Sequence, residues 1–288
     1  MATSHIDARR DGLVGVITIN RPERFNSLDV TTAQDFRRSG LQFARDPQVR
    51  AVVVRGLPEM FCSGADLKFI RDGGDAEDLA YLTGAQVAQG APGAQGAAYG
   101  AVFKQILEYI HSAISEIRRA PKPFIAAVDG IAAAGGFGLA MSCDLVFASS
   151  RATFEWAYGR TALTGAESAT FLLPRLIGLR RALELVLLNP RLTAVQARDY
   201  GLVTAVYDVE GFDREVMAVA QRIAAGPTQA LAIAKELLNQ SAGMDRLEAH
   251  LDRELNELTR VADGPEFLEG LRAFFDKRAA RFIERMEA

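Results

Sequence analysis

Apolar positions follow two rhythms along this chain. Short, mainly apolar runs rich in β-branched residues occupy 13–19, 51–55, 123–128, 145–147 and 202–206, and 152–156 (ATFEW) reads as a further short strand. Runs of this length bounded by Gly, Pro, Asn or Asp predict buried strands. Between them the spacing changes to that of amphipathic helices. One is predicted over 31–44, capped by Asp29 and ended at Asp46-Pro47. Another spans 101–119, with Val102, Ile106, Ile110, Ile114 and Ile117 on its buried face. A helix is predicted to start over 167–173, followed by one over 180–188 and one over 194–200, the last capped by Thr193 and stopped by Gly201. After residue 207 the strands cease, and helices are predicted over 213–225, 227–240, 244–261 and 265–285, with Pro227 and Pro265 at helix starts. The alternation predicts an α/β core over 1–207 and a helical region over 208–288, with no Pro- or Ser-rich linker between them. Leu237, Leu238, Leu247, Leu251, Leu255 and Leu258 of that region suit either subunit contacts or ordinary core. The stretch 72–100 is rich in Gly, Ala and Gln without periodicity, and reads as a lid or surface excursion.

Two turns of small residues interrupt this pattern. PKPFIAAVDGIAAAGGFGLAMSCDLVF (121–147) reads as strand, glycine-rich turn, short helix and strand. FCSGADLK (61–68) places a similar turn after the strand at 51–55. Where a small-residue turn enters a helix, unpaired N–H groups lie at the positive end of the helix dipole, unshielded by bulky side chains. One such turn is common in α/β proteins and mostly does no chemistry. Two could converge on a single carbonyl oxygen.

Charge and cysteine content narrow the classes. The 33 basic and 36 acidic residues leave a net charge of −3, so bulk electrostatics call for no nucleic acid. Cys62 and Cys143 are the only cysteines, which predicts no disulfide framework and a reducing, cytoplasmic setting. No C-x-x-C or His-x-x-x-His spacing suggests a metal. MATSHIDARRDG lacks an apolar leader segment, and no run is long enough to span a membrane.

FCSGADLK followed by DGIAAAGGFGLAMSCDLVFAS resembles the two signature blocks of the crotonase (enoyl-CoA hydratase/isomerase) superfamily. ITINRPERFNSLD, LPRLIGLRRALELVL, NPRLTAVQARDYGLV and EGLRAFFDKRAARF follow that family in order, so the likeness covers nearly the whole chain. The resemblance implies a ClpP-like spiral of strand–strand–helix units with a helical C-terminal region, assembled as homotrimers or pairs of trimers. It implies an acyl-CoA substrate, with coenzyme A entering as part of that substrate and no permanently bound cofactor. By the same likeness the main-chain N–H groups of Ala65 and Gly135 form an oxyanion hole that polarises the thioester carbonyl and stabilises an enolate-like intermediate. Arg24 and Phe25 would lie near the CoA nucleotide, Lys68 near its phosphates, and Phe274 and Lys277 in the segment that closes over it, often from a neighbouring subunit. The stretch between Phe69 and Tyr109 would roof the acyl pocket. Read as isolated residues, Arg24, Lys68 and Lys277 are equally plain solvated side chains.

The chain departs from the family where hydratases carry their two glutamates. Aligning GLAMSCD puts Gly138 at the first position, and spacing to LPRLIG puts Tyr158 at the second. Glycine holds no proton, and a tyrosine of ordinary pKa, about 10, is a poor base at neutral pH but a workable hydrogen-bond donor. The run 123–203 looks most like the 4-chlorobenzoyl-CoA dehalogenases, which share the glycine and the aromatic and whose active-site histidine falls on His111. Their nucleophilic aspartate falls on Ala166. Glu167 follows one residue on, about 100° away if helical, while in a loop the chain could compensate. TFLLPRLIG and EGLRAFFDKR also resemble phenylacetate-pathway and enoyl-CoA isomerases, which move a proton with a carboxylate near Glu167. Glu155 is expected on an exposed strand face, and Asp66 as a cap for its own turn. The readings are an isomerase, lyase or hydrolase using His111, Tyr158 or Glu167; a non-catalytic acyl-CoA binder; or a scaffold subunit.

Overall fold

The computed structural model describes residues 5–75 and 99–282. Most of the irregular stretch read as a lid, 76–98, lies outside the described residues.

The chain repeats one unit: a strand in a large sheet, a tight turn, a short strand in a second sheet, then a helix. Strand β1 (Ile6–Asp11) pairs antiparallel with β2 (Val14–Ile19), and helix α1 (Val30–Arg45) follows. The first unit is β3 (Ala51–Arg55), β4 (Met60–Cys62) and α2 (Leu67–Arg71), after which the long helix α3 (Tyr99–Arg119) begins. The second is β5 (Phe124–Val128), β6 (Ile131–Ala133) and α4 (Gly135–Ser142). The third is β7 (Leu145–Ser149), β8 (Thr153–Glu155) and α5 (Ala169–Leu188), with a 3-10 turn at Tyr158–Thr161 between strand and helix. Then come β9 (Arg191–Thr193), α6 (Ala194–Tyr200) and β10 (Ala205–Tyr207). The chain finishes in α7 (Phe212–Ala224), α8 (Thr228–Ser241), α9 (Leu247–Ala262) and α10 (Pro265–Phe275).

The large sheet runs β1-β2-β3-β5-β7-β10, parallel from β2 onward, and the small one β4-β6-β8-β9. Alternation along the central strands assigns the two faces. Val14, Val16, Val53, Ile125 and Phe147 pack against Phe212 and Val216 of α7. Ile17, Ile19, Val52, Val54, Phe124 and Val128 face the main core with α1 and α3. Strands buried on both faces read as continuous apolar runs, and for that reason these strands stand out in the sequence. The order of the small sheet decides the rest. Because β4, β6 and β8 are neighbours and parallel, the turns that leave their C-terminal ends lie side by side.

Several expectations need correction. β1 is absent from the apolar pattern because it is an edge strand with five of its six residues exposed. β9 is too short to register. The last strand is Ala205–Tyr207, later than the apolar run 202–206 suggests, since Leu202 and Val203 turn into the core. Glu167 and Ser168 are not helical: both take left-handed backbone, φ 52° and 62°, and α5 starts after them. α5 then runs on to Leu188 through a kink at Gly178. The final helix stops at Phe275, not at 285. Glu155 is buried, not exposed, and pairs with Arg160 at 2.6 Å and Arg191 at 3.0 Å. In the C-terminal region Leu247, Leu251 and Leu258 are core residues, whereas Leu237 and Leu238 are exposed.

Candidate active site

Three turns meet at the C-terminal edge of the small sheet. The first, after β4, is shaped by a buried ion cluster. The Arg21 guanidinium reaches Asp29 at 2.6 Å and Asp66 at 2.9 Å and donates to the Ser27 carbonyl at 3.0 Å. Asp66 in turn accepts from the N–H groups of Lys68 and Phe69, both at 3.0 Å, and so caps α2 as expected. The loop of Phe25 is stitched to this turn: Ser63 donates to the Phe25 carbonyl, Leu28 to that of Gly64, and Asp66 to that of Leu28. These bonds leave the Ala65 N–H without a partner among the described residues.

The second turn, after β6, starts α4 at Gly135. As the first helical residue its N–H has no acceptor within the helix, and none among the described residues. The two turns touch through Gly64, whose φ of 96° favours glycine. A Cβ built there would lie 2.9 Å from the Gly135 nitrogen.

The third turn, 162–168, brings Glu167 against the second. A Cβ on Gly135 would meet Glu167 Oε1 at 2.7 Å, and one on Gly138 would meet Glu167 Cβ at 2.7 Å and its carbonyl oxygen at 2.8 Å. The carboxyl therefore lies on the first turn of α4, beside the free amide of Gly135. The left-handed backbone at Glu167 and Ser168 performs the compensation that a helix could not.

Glu167 is 2 % exposed. Burial, opposed by the hydrogen bond from Tyr158 and reinforced by the negative charge of Glu254, pushes its carboxyl up to about 8. The buried Tyr158 hydroxyl donates to Glu167 Oε2. Burial first, then the neighbouring carboxyl, raises the Tyr158 phenol well above its ordinary range. His111 Nε2 accepts the Glu167 main-chain N–H at 3.2 Å, and the ring also hydrogen-bonds the Leu251 backbone. Burial drops its pKa to about 4, so at neutral pH it is the uncharged imidazole with its proton on Nδ1. Cys62, on the far side, is pushed up to about 12 by burial and is an inert thiol.

Five of the ten candidate residues, Ala65, Gly135, His111, Tyr158 and Glu167, are thus brought together. The other five lie at the surface around the same edge. Phe25 is 65 % and Phe274 56 % exposed, and Arg24 is half-buried. Lys68 is exposed on α2, one helical turn before Arg71, whose guanidinium lies 4.2 Å over the Phe275 ring. The end of α10, with Phe274 and the exposed, left-handed Lys277, therefore reaches α2 within one chain. Two residues escaped the sequence reading. Arg21 stands in the quoted ITINRPERFNSLD block with no signal in the sequence that it pairs with acids. Glu254 was legible as an acid inside an otherwise apolar helical stripe, Leu247, Leu251, Leu258 and Ala262. Among the described residues no cluster of His, Cys, Asp or Glu is arranged to hold a metal ion, and no helix is long and apolar enough to cross a membrane.

A model of the enoyl-CoA hydratase/isomerase family matches residues 9–89 and 82–285. The chain is 30% identical over 271 residues to 1,2-epoxyphenylacetyl-CoA isomerase of Escherichia coli (strain K12), covering 93% of this chain and 94% of that one. It is 28% identical over 273 residues to 4-chlorobenzoyl coenzyme A dehalogenase-2 of an Arthrobacter species, covering 95% and 91%. Among solved structures, an enoyl-CoA hydratase from Mycobacterium avium subsp. paratuberculosis K-10 superposes with a TM-score of 0.81 at 30% identity, over 97% of this chain and 98% of that chain.

Proposed function

The chain belongs to the enoyl-CoA hydratase/isomerase family, and we propose that within it this protein relocates a proton on an acyl-CoA thioester, as an isomerase and not as a hydratase. The thioester oxygen sits between the N–H groups of Ala65 and Gly135. Glu167, in its ionised form, removes a proton from the α-carbon, and the electron pair moves onto the carbonyl oxygen as an enolate. In a β,γ-unsaturated thioester the same carboxyl, now protonated, returns the proton to the γ-carbon, so the β,γ double bond moves to the α,β position with no net gain or loss of atoms. Two preorganised amides facing the developing charge contribute about 3–4 kcal/mol each. Tyr158 orients the Glu167 carboxyl, and His111 holds its main chain.

The observation that carries this reading is the buried Glu167 carboxyl against the first turn of α4, poised at about 8. A group near neutrality both accepts and returns protons readily. Against dehalogenation stands Ala166, which occupies the place of the nucleophilic aspartate of the dehalogenases the chain resembles. Hydration needs a water held between two acids, and the equivalent positions here carry Gly138 and Tyr158, the latter engaged by Glu167. Arg24, Phe25, Lys68, Phe274 and Lys277 form the rim available to the CoA nucleotide. Leu179, Leu183 and Leu187, exposed on α5, supply an apolar face for assembly into trimers or pairs of trimers.

The test is exchange of α-protons with deuterated solvent, using butyryl-CoA and phenylacetyl-CoA, followed by turnover of an aliphatic and aromatic enoyl-CoA panel in deuterated solvent, read by chromatographic separation of the isomers and by mass spectrometry of the deuterium they incorporate. The wild-type protein is expected to exchange and Glu167→Gln to bind without exchanging. Binding without exchange by the wild type would make the protein a thioester binder and overturn the proposal.

A further inference from the structure

We infer that Glu254, on the C-terminal helix α9, is a positioning residue for Glu167, so that the proton-transfer site is completed by the helical region and not by the core alone. The inference rests on the role proposed above for Glu167. Its geometry is independent of that role. Glu254 is 5 % exposed and accepts the main-chain N–H of Ser168 at 2.8 Å and of Thr170 at 3.0 Å, together with the Thr170 hydroxyl. The N–H of Phe171 also bonds it. These are the donors that a helix N-terminus leaves unsatisfied. No side chain of α5 caps them, because Ser168 is left-handed and its hydroxyl is buried without a partner. A carboxylate from another helix does the capping instead, and it closes on the residue immediately after Glu167.

The consequence is mechanical and electrostatic. Two consecutive non-glycine residues in the left-handed region are held there only if their surroundings over-determine them. Here Glu254 holds the Ser168 amide and His111 the Glu167 amide, and Leu251, one turn earlier on α9, holds His111. α9 thus grips the turn at two points. The groups facing Glu167 are Tyr158 from the 3-10 turn, His111 from α3, Cys62 from β4 and Glu254 from α9. Burial raises the Glu254 carboxyl as well, against the hydrogen bonds it accepts from Thr170, Ser168 and Phe171, and its negative charge when ionised raises the Glu167 carboxyl. Glu254 itself faces Thr170 and, on its own helix, His250, whose Nε2 lies 3.6 Å away.

The experiment compares wild type, Glu254→Gln and Glu167→Gln in the α-proton exchange of phenylacetyl-CoA across pH, with the Glu167 carboxyl followed in parallel by carbon-13 NMR. For Glu254→Gln the exchange rate constant is expected to fall about tenfold or more, as small displacements of a reacting group do, while the KM for phenylacetyl-CoA stays within about threefold. The midpoint of both the rate profile and the NMR titration moves to lower pH by about half a unit or more. Unchanged rate and unchanged midpoint in a folded Glu254→Gln protein would overturn the inference. So would an equal loss in Glu254→Gln with both midpoints fixed, which marks a merely structural role. Should Glu254→Gln not fold, Thr170→Val removes one donor to Glu254 and must shift both readouts in the same direction, by a smaller amount. If wild type does not exchange, or Glu167→Gln still does, the proposed role of Glu167 fails, whereas the NMR midpoint still decides whether Glu254 sets the state of that carboxyl.

Discussion

Replacing Tyr158 by Phe isolates the hydrogen bond that opposes burial at Glu167. Desolvation raises the carboxyl, and the Tyr158 hydroxyl is the group that lowers it, leaving it at about 8. A hydrogen bond to a charged group contributes about 1.5–3 kcal/mol, and about 1.4 kcal/mol corresponds to one pKa unit. Phenylalanine keeps the ring, which packs 5.1 Å from Trp156, and removes the donor. The Glu167 midpoint then moves up, to roughly 9–10. At about pH 7.5 the ionised fraction falls from about a quarter to about 3 % or less, a loss of about tenfold to a hundredfold in base-catalysed exchange. The assay is the pH dependence of α-proton exchange into phenylacetyl-CoA. The variant should recover most of its rate as pH rises past the new midpoint. A midpoint that stays put or moves down, or a loss that high pH does not restore, would refute the assignment of Tyr158 as the donor that tunes Glu167.

Three further outcomes follow from the same geometry. Because the folded protein holds the Glu167 proton up to about 8 against an ordinary 4.5, it binds more protons than the unfolded chain between those values. This contribution to stability is complete at low pH and is lost as pH rises through the interval, by about 3–5 kcal/mol. Glu167→Gln should therefore gain thermal stability over wild type near pH 9 but not near pH 5, as scanning calorimetry would read. Gly138→Ala places a Cβ 2.7 Å from Glu167 Cβ, so the turn must move. Exchange should fall by about tenfold or more while circular dichroism still reports a folded protein. Arg21→Met leaves the buried Asp66 and the partly buried Asp29 without their cation, and denaturant unfolding should show a loss of about 3–5 kcal/mol.

The central strands β2, β3, β5 and β7 of the large sheet were legible because they are buried on both faces, so the apolar run is unbroken from Val52 to Val54 or from Phe124 to Val128. α1 and α6 were legible through their caps, Asp29 and Thr193, whose side chains accept the expected amides. The two turns of small residues were legible in the sequence, and the family resemblance singled out Ala65 and Gly135 within them; the close contact of Gly64 with Gly135 explains why residues there are small. What periodicity could not give was the conformation of 162–168. A glutamate ahead of an apolar run reads as the first turn of a helix, yet Glu254, 86 residues on from Ser168, captures that helix start and fixes Glu167 as left-handed. The buried cluster of Arg21, Asp29 and Asp66 was hidden for the same reason, since 45 residues separate Arg21 from Asp66. Nor does an exposed edge strand such as β1 carry an apolar signal, because both of its faces meet solvent.

The most direct measurement is a crystal structure with phenylacetyl-CoA bound. The thioester oxygen should lie about 3 Å from both the Ala65 and Gly135 nitrogens, with the α-carbon facing Glu167 Oε1. A carbonyl held by neither amide, or an α-carbon turned away from Glu167, would contradict the account.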